Sequence, residues 1–249
     1  MIHASLHKLV YEITLDRADQ RNALTPTMSD ALVKAIAECP ADARALLLVG
    51  NGPVFCAGFD LPLCQQSPDG SVLKHLLRSL STAIMLLKNT RCPVVIAAQG
   101  GAIAGGCALL TAADHVVSDS RAKFGYPVHR LGLSPAVSIP TLAQTIGNGA
   151  VRPIAFDTQL IDGRRGREIS LIHTLVETAA EVIPSARAIA AGFAEKPPQA
   201  MTETKAWLSK VSPLSVEEVM AALTTSLNTA GTDEQTELLR VVLSTRQKP

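Results

Sequence analysis

The segment from residue 94 to residue 109, VVIAAQGGAIAGGCAL, joins a short apolar run to four closely spaced glycines. Val94–Ala97 has the composition of a buried strand, and the glycines that follow it interrupt any regular element. The residues from Gly105 onward suit a short helix. We therefore expect a strand, a tight glycine loop and a helix in direct succession.

The same region raises the question of a membrane span, because no charged residue occurs between positions 92 and 113. That length is sufficient to cross a bilayer. However, Pro93 opens the stretch and the glycines lie in its middle, which is unfavourable for one continuous helix. We expect a buried part of a globular domain, with no membrane as a partner.

A second glycine loop, FCAGFDL at residues 55–61, follows another apolar run at residues 45–49. Glycine permits close approach of a backbone to a ligand, and the first N–H groups of a helix have no partner within it. Two such N–H groups that converge from separate loops would stabilise an oxyanion. The 94–109 segment lacks the Lys-Ser/Thr ending of a Walker motif and the spacing of a dinucleotide fingerprint. Purely structural turns remain the alternative at this point.

Elsewhere, the first half of the chain alternates strand and helix patterns, and the part after Pro140 is helical. The dipeptide Thr25-Pro26 marks a helix start, with Thr25 as the N-cap. Strands are expected at residues 9–15, 45–49, 94–97 and 115–117, and helices at 26–38, 72–87, 105–113, 142–146, 185–194, 200–208, 216–222 and 236–245. This order is typical of an α/β fold with a helical C-terminal region.

The composition limits the class of partner. Apolar residues make up 47% of the 249-residue chain, which is enough for a substantial core. Lys plus Arg total 23 and Asp plus Glu total 22, so the net charge of +1 lacks the basic excess of a nucleic-acid-binding protein. Aromatic residues are only 3% of the chain, which is unfavourable for a base-stacking surface. We expect no nucleic-acid partner.

The five cysteines show no paired spacing of the kind that binds a metal, and we expect no metal site. They lie at Cys39, Cys56, Cys64, Cys92 and Cys107. The first residues lack the basic and apolar regions of a signal peptide. We therefore expect reduced thiols in a cytoplasmic protein.

Motifs in several parts of the chain follow one another in a recognisable order and spacing. They are RADQRNAL at 17–24, FCAGFDL at 55–61, AGGCAL at 104–109 with Ala113-Asp114, FG at 124–125 with LGL at 131–133 and Gly147, and the stretch from LID at 160–162 to LIH at 171–173. Together they resemble the enoyl-CoA hydratase/isomerase (crotonase) superfamily over nearly the whole chain.

The resemblance implies a spiral of β-β-α units, with an acyl-CoA-binding core over residues 1–190. The helical region over residues 191–249 would then serve oligomerisation, as a homotrimer or a dimer of trimers. The implied substrates are acyl thioesters, and coenzyme A enters as part of the substrate with no further cofactor.

The resemblance also implies site residues. The oxyanion hole would consist of the backbone N–H groups of Phe59 and Gly105. The nucleotide and pantetheine channel would include Ala57, Gly58, Asp60 and Leu61. Arg21 and Ala23 lie where the family has a loop that contacts CoA; a solvated arginine and a helix-entry turn are the alternative.

The sequence departs from the family pattern at the two positions where hydratases carry glutamates. These positions hold Ala108, three residues after the oxyanion glycine on one helix face, and Val128, directly after a proline. Neither side chain can transfer a proton, so the two-carboxylate hydration mechanism is not available. Ala108 and Val128 are instead expected to line the acyl pocket.

Three other residues are candidates for the missing proton transfer. His129 is adjacent to Val128, and a histidine is a natural base near neutral pH. Tyr126 could donate to a thioester enolate, and His75 lies on the helix after the first loop. Each has a structural alternative: a surface histidine, a core tyrosine and a helix-surface histidine, respectively. Asp60 has the alternative role of capping or bracing its loop.

Three functions follow from this pattern. The first is an enzyme that stabilises a thioester enolate in its oxyanion hole without two-glutamate hydration, for example a decarboxylase. The second is a non-catalytic acyl-CoA-binding or acyl-carrier-binding member of the family. The third is a hydratase or isomerase whose acids come from elsewhere in the chain.

Overall fold

The computed structural model describes residues 1–246. Its strands are β1 (Ile2–His7), β2 (Val10–Leu15), β3 (Ala45–Gly50), β4 (Val94–Ala97), β5 (Gly101–Ile103), β6 (His115–Asp119), β7 (Lys123–Gly125), β8 (Ile161–Asp162) and β9 (Thr174–Val176). Its α-helices are α1 (Pro26–Ala37), α2 (Leu61–Gln65), α3 (Ser71–Asn89), α4 (Gly105–Leu110), α5 (Ile139–Phe156), α6 (Gly163–Glu168), α7 (Ala179–Ala194), α8 (Pro198–Val211), α9 (Val216–Thr229) and α10 (Asp233–Arg246). Short 3₁₀ helices cover Ala18–Gln20, Pro127–Leu131 and Ala136–Ser138.

The strands form two sheets, and the chain passes repeatedly from one to the other. The main sheet has the order β1-β2-β3-β4-β6-β9, and the small sheet has the order β5-β7-β8. In the main sheet only the β1–β2 pair is antiparallel. β4 is followed by β5, β6 by β7, and β8 by β9, so three successive turns of the chain each contribute one strand to each sheet. The expected α/β spiral of β-β-α units is confirmed.

The central strands β3 and β4 of the main sheet are buried on both faces. Leu46 and Leu48 of β3 face the larger core, whereas Ala45 and Leu47 pack with α7 on the other side. A parallel strand that is covered on both faces reads as a continuous apolar run, which is what β3 shows. The structure adds five strands that the sequence analysis did not expect: β1, β5, β7, β8 and β9.

The helix starts and ends follow local signals. The Thr25 hydroxyl accepts a hydrogen bond of 3.2 Å from the Met28 N–H, which confirms Thr25 as the N-cap of α1. The stretch from 92 to 113 forms β4, β5 and α4. Within residues 1–246 no helix is long and apolar enough to cross a membrane.

The helices expected after Pro140 are all present as α5 and α7–α10. The boundary expected at residue 190 falls inside α7, which packs against the main sheet from Val182 to Ala194. Helices α9 and α10 pack against the 3₁₀ helices of the same chain. The division into two domains and the oligomerisation role of the helical region stay predictions.

Candidate active site

The two glycine loops lie side by side at the carboxyl ends of β3 and β4. Cys56 of the first loop forms a parallel bridge with Ala102 of β5. The Ile103 N–H donates to the Cys56 carbonyl oxygen at 3.0 Å, and the Cys56 N–H donates to the Gly101 carbonyl oxygen at 3.4 Å. The first loop is therefore joined to the edge of the small sheet, next to the start of α4.

Glycine is required where the loops touch. Gly58 has φ +89°, and a Cβ atom added there would lie 2.9 Å from the Ile103 carbonyl oxygen and 3.6 Å from the Gly105 nitrogen. A Cβ atom added at Gly105 would lie 3.0 Å from Cε1 of the Phe59 ring. Phe59 therefore packs its side chain over Gly105, and the adjacent Gly58 approaches the Gly105 nitrogen.

Both N–H groups implied by the family resemblance are without a hydrogen-bond partner in the described part of the chain. Neither the Phe59 N–H nor the Gly105 N–H donates a hydrogen bond within residues 1–246. The flanking groups do: Asp60 N–H donates to Leu24 at 2.9 Å, and Ala104 N–H donates to Gly125 at 2.8 Å. Two neighbouring donors in a partly buried place can bind a negatively charged oxygen.

Ala104, directly before α4, has an unusual backbone. Its φ is +49° and its ψ is −113°, a region that residues with a side chain rarely adopt. Its N–H is bound by Gly125 and its carbonyl oxygen by the Ala108 N–H at 2.9 Å. The surrounding hydrogen bonds therefore hold a strained residue at the entrance of the helix.

Buried aspartates brace both loops. Asp60 Oδ2 accepts a 2.7 Å bond from the Arg17 guanidinium, and its Oδ1 accepts the Leu63 N–H at 3.0 Å as the N-cap of α2. Asp119 Oδ2 accepts the Gly100 N–H at 2.7 Å. The capping and bracing role of Asp60 is thus seen directly, and its role toward substrate stays a prediction.

Asn22 is a structural centre that the sequence analysis missed. Its side chain is fully buried and donates to the carbonyl oxygens of Asn51 and Val54, both at 2.9 Å. Its own carbonyl oxygen accepts the Cys56 thiol at 3.3 Å. Because Asn22 has φ +54°, a conformation in which asparagine is enriched, this residue ties the 17–24 segment to the first loop.

The four channel residues and the two residues of the CoA-contacting loop lie around this centre. Arg21 is exposed, and its carbonyl oxygen accepts the Ala57 N–H at 2.9 Å. Ala23 is half-buried, and its carbonyl oxygen accepts a bond of 2.9 Å from Arg17. Ala57 and Leu61 are half-buried, at the two ends of the 57–61 segment. The structure brings these residues together, and their contacts with a ligand stay predictions.

The two positions at which the resemblance predicts the family's glutamates hold apolar side chains in different settings. Ala108 is fully buried within α4. Val128 is half-buried in the Pro127–Leu131 3₁₀ helix and packs against the main core. Neither position offers a proton carrier.

The two candidate histidines lie at the surface. His75 is exposed on α3, and its Nε2 is 2.8 Å from Asp30 Oδ1 on α1. His129 is exposed and stacks on the exposed ring of Phe156, with centroids 6.2 Å apart. Both positions match the structural alternatives considered for these residues, and a catalytic role is not supported by their contacts.

Tyr126 is the one candidate of the three that lies in the interior. Its side chain is fully buried, and its hydroxyl has no hydrogen-bond partner among the residues that the structure describes. Burial, and then the neighbouring Cys107 thiol of α4, raises the pKa of Tyr126 well above its usual value. The phenol is therefore protonated and holds an unused donor beside the helix that begins at Gly105.

Comparison with known proteins agrees with the resemblance found in the sequence. Residues 6–240 match the family model described as "Enoyl-CoA hydratase/isomerase". A "Putative enoyl-CoA hydratase" of Thermus thermophilus is 27% identical over 210 residues, which is 83% of each chain. The peroxisomal "Delta(3,5)-Delta(2,4)-dienoyl-CoA isomerase" of Arabidopsis thaliana is 26% identical over 234 residues, covering 88% of this chain and 84% of the relative.

Solved structures show the same fold. The crystal structure of an enoyl-CoA hydratase/isomerase from Mycobacterium paratuberculosis superposes with a TM-score of 0.88 at 23% identity, covering 96% of this chain and 97% of that one. That of an enoyl-CoA hydratase/isomerase from Xanthobacter autotrophicus Py2 also gives a TM-score of 0.88, at 24% identity, covering 99% and 97%. The likeness extends over almost the whole chain.

Proposed function

The chain belongs to the enoyl-CoA hydratase/isomerase family, and from this premise we propose that it is an enzyme for an acyl thioester of coenzyme A or of a carrier protein. The thioester oxygen would lie between the N–H groups of Phe59 and Gly105. These two donors would stabilise the negative charge that develops when the thioester becomes an enolate.

The observation that carries this proposal is the pair of neighbouring, unpaired N–H groups. Both loops are held rigidly by Asp60, Asp119 and Asn22, so the donors are fixed before a ligand binds. Fixed donors in a site with little water stabilise charge more strongly than mobile donors do, because nothing has to reorganise.

The chemistry that fits these residues differs from two-glutamate hydration. In a decarboxylation, the bond between the α-carbon and a carboxyl group breaks, carbon dioxide leaves, and the electron pair moves into the thioester. The resulting enolate needs only stabilisation and one proton at carbon. Ala108 and Val128 would then shape the acyl pocket without taking part in proton transfer.

We propose Tyr126 as the proton donor of such a reaction. It is protonated, buried and next to Cys107, which lies two residues after Gly105 on α4. Its hydroxyl is unused within residues 1–246, so a substrate or a bound water would give it a partner. The surface positions of His129 and His75 favour Tyr126 over both.

The same apolar positions also favour a second candidate, a non-catalytic acyl-thioester-binding protein. In that case Ala108 and Val128 fill a cavity wall and the donors hold the thioester without turnover. Hydration or isomerisation with acids from elsewhere receives less support, because the two buried carboxylates, Asp60 and Asp119, are both occupied by backbone N–H groups.

Substrate binding would extend from the oxyanion site along the first loop. We propose that the 57–61 segment lines the pantetheine channel and that Arg21, exposed at its side, pairs with the phosphates of CoA. A carrier protein would present the same pantetheine arm. Competition by free CoA against an acyl-CoA ligand would distinguish the two sources.

The assembly and location of the protein belong to the same proposal. We propose a homotrimer or a dimer of trimers in the cytoplasm. Exposed apolar side chains on α8 and α9, among them Trp207, Val211 and Met220, support burial against a second copy. Sedimentation equilibrium and native mass spectrometry would decide between three and six chains.

The test is a panel of thioesters with three readouts. Calorimetry measures binding, a bicarbonate-coupled assay measures carbon dioxide release from β-carboxyacyl-CoA, and absorbance measures hydration of crotonyl-CoA. We expect binding, carbon dioxide release and no robust hydration. Binding without turnover across the panel would favour the non-catalytic candidate, vigorous hydration would favour acids from elsewhere, and absence of any binding would refute the proposal.

A further inference from the structure

The turn at residues 50–54, between β3 and the first glycine loop, has the sequence GNGPV and contains the dipeptide Asn51-Gly52. In such a dipeptide the backbone nitrogen of the glycine can attack the side-chain amide of the asparagine, because glycine has no side chain that hinders the approach. The chain has one other copy, Asn148-Gly149. The two copies can therefore be compared within one molecule.

The attacking and the attacked group are both accessible in this turn. Asn51 and Gly52 are exposed. The neighbouring Asn51 N–H donates to Leu15 at 2.7 Å, and the Phe55 N–H donates to Gln99 at 2.9 Å. The Gly52 N–H, by contrast, donates no hydrogen bond within residues 1–246. No hydrogen bond of the described chain has to break before this nitrogen reacts.

A hydrogen bond from Asn22 activates the same peptide group. The buried Asn22 side chain donates to the Asn51 carbonyl oxygen at 2.9 Å. A donor on the oxygen of a peptide group polarises that group and makes its N–H more acidic. The attack requires loss of this proton, because the deprotonated nitrogen of Gly52 is the nucleophile.

The packing of the turn explains why a glycine follows Asn51. Gly52 has φ +82°, and a Cβ atom added there would lie 2.6 Å from Cβ of Ala18. A larger residue would be both strained and crowded at this position. The fold therefore requires the residue type that leaves Asn51 open to attack.

The second copy lies in a different setting. Asn148 and Gly149 are also exposed, but they belong to α5, directly after the kink at Gly147. Ring closure there requires the backbone to leave its helical conformation, and local opening of a helix has a cost in free energy. The structure thus favours reaction at the turn over reaction in the helix.

We propose that Asn51 is a site of spontaneous deamidation, with water as the only co-reactant. The Gly52 nitrogen loses its proton to solvent and bonds to Cγ of Asn51. The bond between Cγ and the amide nitrogen breaks, and ammonia leaves with a proton from solvent, which gives a succinimide. Water then opens the ring at either carbonyl carbon, which gives aspartate or isoaspartate. One water is consumed and one ammonia is released, without oxidation or reduction.

Conversion to aspartate would reverse an interaction with Asp16. At present Nδ2 of Asn51 donates to Oδ1 of Asp16 at 2.9 Å. This hydrogen bond, followed by one with His3, lowers the pKa of Asp16, so the carboxyl group is ionised at neutral pH. A second carboxylate in place of the amide would repel it, because like charges at this distance disfavour each other.

Conversion to isoaspartate would change the main chain itself. The chain would then run through the former side chain, which adds one methylene to the turn. Carbonyl oxygens of this turn accept hydrogen bonds from Asn22, at Asn51 and Val54, and from Gln99, at Gly52. Because the first glycine loop begins at residue 55, the change would act directly on the loop that carries Phe59.

The test incubates the full-length folded protein in mildly alkaline buffer and follows both dipeptides by peptide mass mapping. Isoaspartyl methyltransferase with labelled S-adenosylmethionine detects isoaspartate independently. We expect Asn51 to react about 10-fold faster than Asn148, because only Asn148 must first leave a helix. In urea the two should react at similar rates. Asn51→Gln, whose side chain is one methylene longer, should give no isoaspartate at this position.

Three outcomes would overturn the site. They are equal rates at the two dipeptides in the folded protein, faster reaction at Asn148, and reaction at neither dipeptide until the protein is unfolded in urea. The wild-type map decides the site even where a variant fails to fold.

The consequence for the fold has its own control. Asn51→Asp, which has the sequence of one product, should have a lower urea midpoint than the wild type at neutral pH. The deficit should shrink towards about pH 4, where carboxylates take up protons. Asn148→Asp, exposed on α5, should keep the wild-type midpoint. Equal midpoints of Asn51→Asp and wild type would overturn the repulsion with Asp16.

Discussion

At the carboxyl ends of β3 and β4 the unpaired donors of the two glycine loops are backbone N–H groups, whereas the polar groups at the amino ends are side chains. The candidate active site offers the N–H groups of Phe59 and Gly105, and its aspartates are already paired. The opposite edge gathers lysines, histidines and cysteines around Lys205, which is 8% exposed and bonded to Asp114 at 2.7 Å.

One sheet thus carries two kinds of polar group at its two ends. The backbone N–H groups of Phe59 and Gly105 do not titrate, so their capacity to donate should be independent of pH. The side chains at the amino ends do titrate, so stability there should depend on pH.

The largest effect is expected from Gly105→Pro, which removes one N–H at the first position of α4. Turnover should fall by about 10²–10³-fold, the usual cost of losing one oxyanion donor. The matched control is Gly105→Ala, which also adds a Cβ atom against the Phe59 ring but keeps the N–H. Thioester kinetics on both variants isolate the donor; equal losses would mean that crowding, and not the donor, matters.

Tyr126→Phe should separate activity from stability. If the phenol is the proton donor, turnover falls by at least about 100-fold. Because the hydroxyl has no partner within residues 1–246, its removal should leave the free energy of unfolding unchanged or higher by up to about 1 kcal/mol. His129→Ala, at the surface, is the control with unchanged turnover. Wild-type turnover in Tyr126→Phe would show that the hydroxyl takes no part in catalysis and that Tyr126 only packs in the core.

At the amino ends of β3 and β4, Lys205→Met should lower the free energy of unfolding. It removes an ammonium that bonds Asp114, Thr90 and the Cys92 carbonyl oxygen. The loss in free energy of unfolding should be about 2 kcal/mol, because hydrogen bonds to charged groups are of that size and Asp114 keeps partial exposure. Lys210→Met on the exposed side of the same helix should change it by less than about 0.5 kcal/mol. Urea unfolding measures both.

Ala104→Gly should stabilise the protein. Glycine adopts a φ of +49° without a Cβ clash, and relief of that strain should exceed the extra entropy of the unfolded chain by about 1 kcal/mol. Ala41→Gly, in an exposed turn with no positive φ, should give a small loss instead. If both variants have a lower free energy of unfolding in chemical denaturation, the positive φ of Ala104 does not destabilise the protein.

The smallest effect concerns pH. Burial, followed by nearby positive charge, lowers the pKa of His115 and His173, whose rings lie 5.4 Å apart at the amino ends of β6 and β9. The unfolded chain therefore binds more protons than the folded one once the pH falls below about 6.5, the ordinary histidine value, and stability decreases in that direction.

Urea unfolding at pH 7.5 and 5.5 measures this loss. The free energy of unfolding should be at its full value above the ordinary histidine pKa and lower below it. His173→Asn, whose side-chain oxygen can replace Nδ1 as acceptor for the Val116 N–H, should reduce the loss by less than about 1 kcal/mol. The exposed His129→Gln should keep the wild-type pH dependence. A loss that is the same in all three proteins would place the titrating groups elsewhere.

Much of the fold was accessible from sequence because its signals are local. The apolar run of β3 and the Thr25-Pro26 start of α1 each depend on a few neighbouring residues. The glycines indicated two tight loops, and the resemblance to the family implied that these loops meet at one site. β1 was missed because only Ile2 and Leu6 of it are even half-buried, so it carries no alternating pattern.

The supporting network of the site could not be predicted in the same way. Arg17 and Asp60 are 43 residues apart, and Lys205 and Asp114 are 91 apart. Which charges meet over such separations depends on the completed fold, and surface charges outnumber buried ones in any sequence. The roles of Phe59, Gly105 and the channel residues toward substrate stay predictions, since contacts with a ligand decide them.

The packing of Phe59 over Gly105 has a consequence for how this protein can evolve. Phe59 contributes a donor through its main chain and a wall through its ring, and these two contributions are encoded independently. Nearly every single-nucleotide change at that codon alters the wall while the donor survives. Under the proposed function, substitutions at residue 59 can therefore change the shape of the acyl pocket while the main-chain donor is retained.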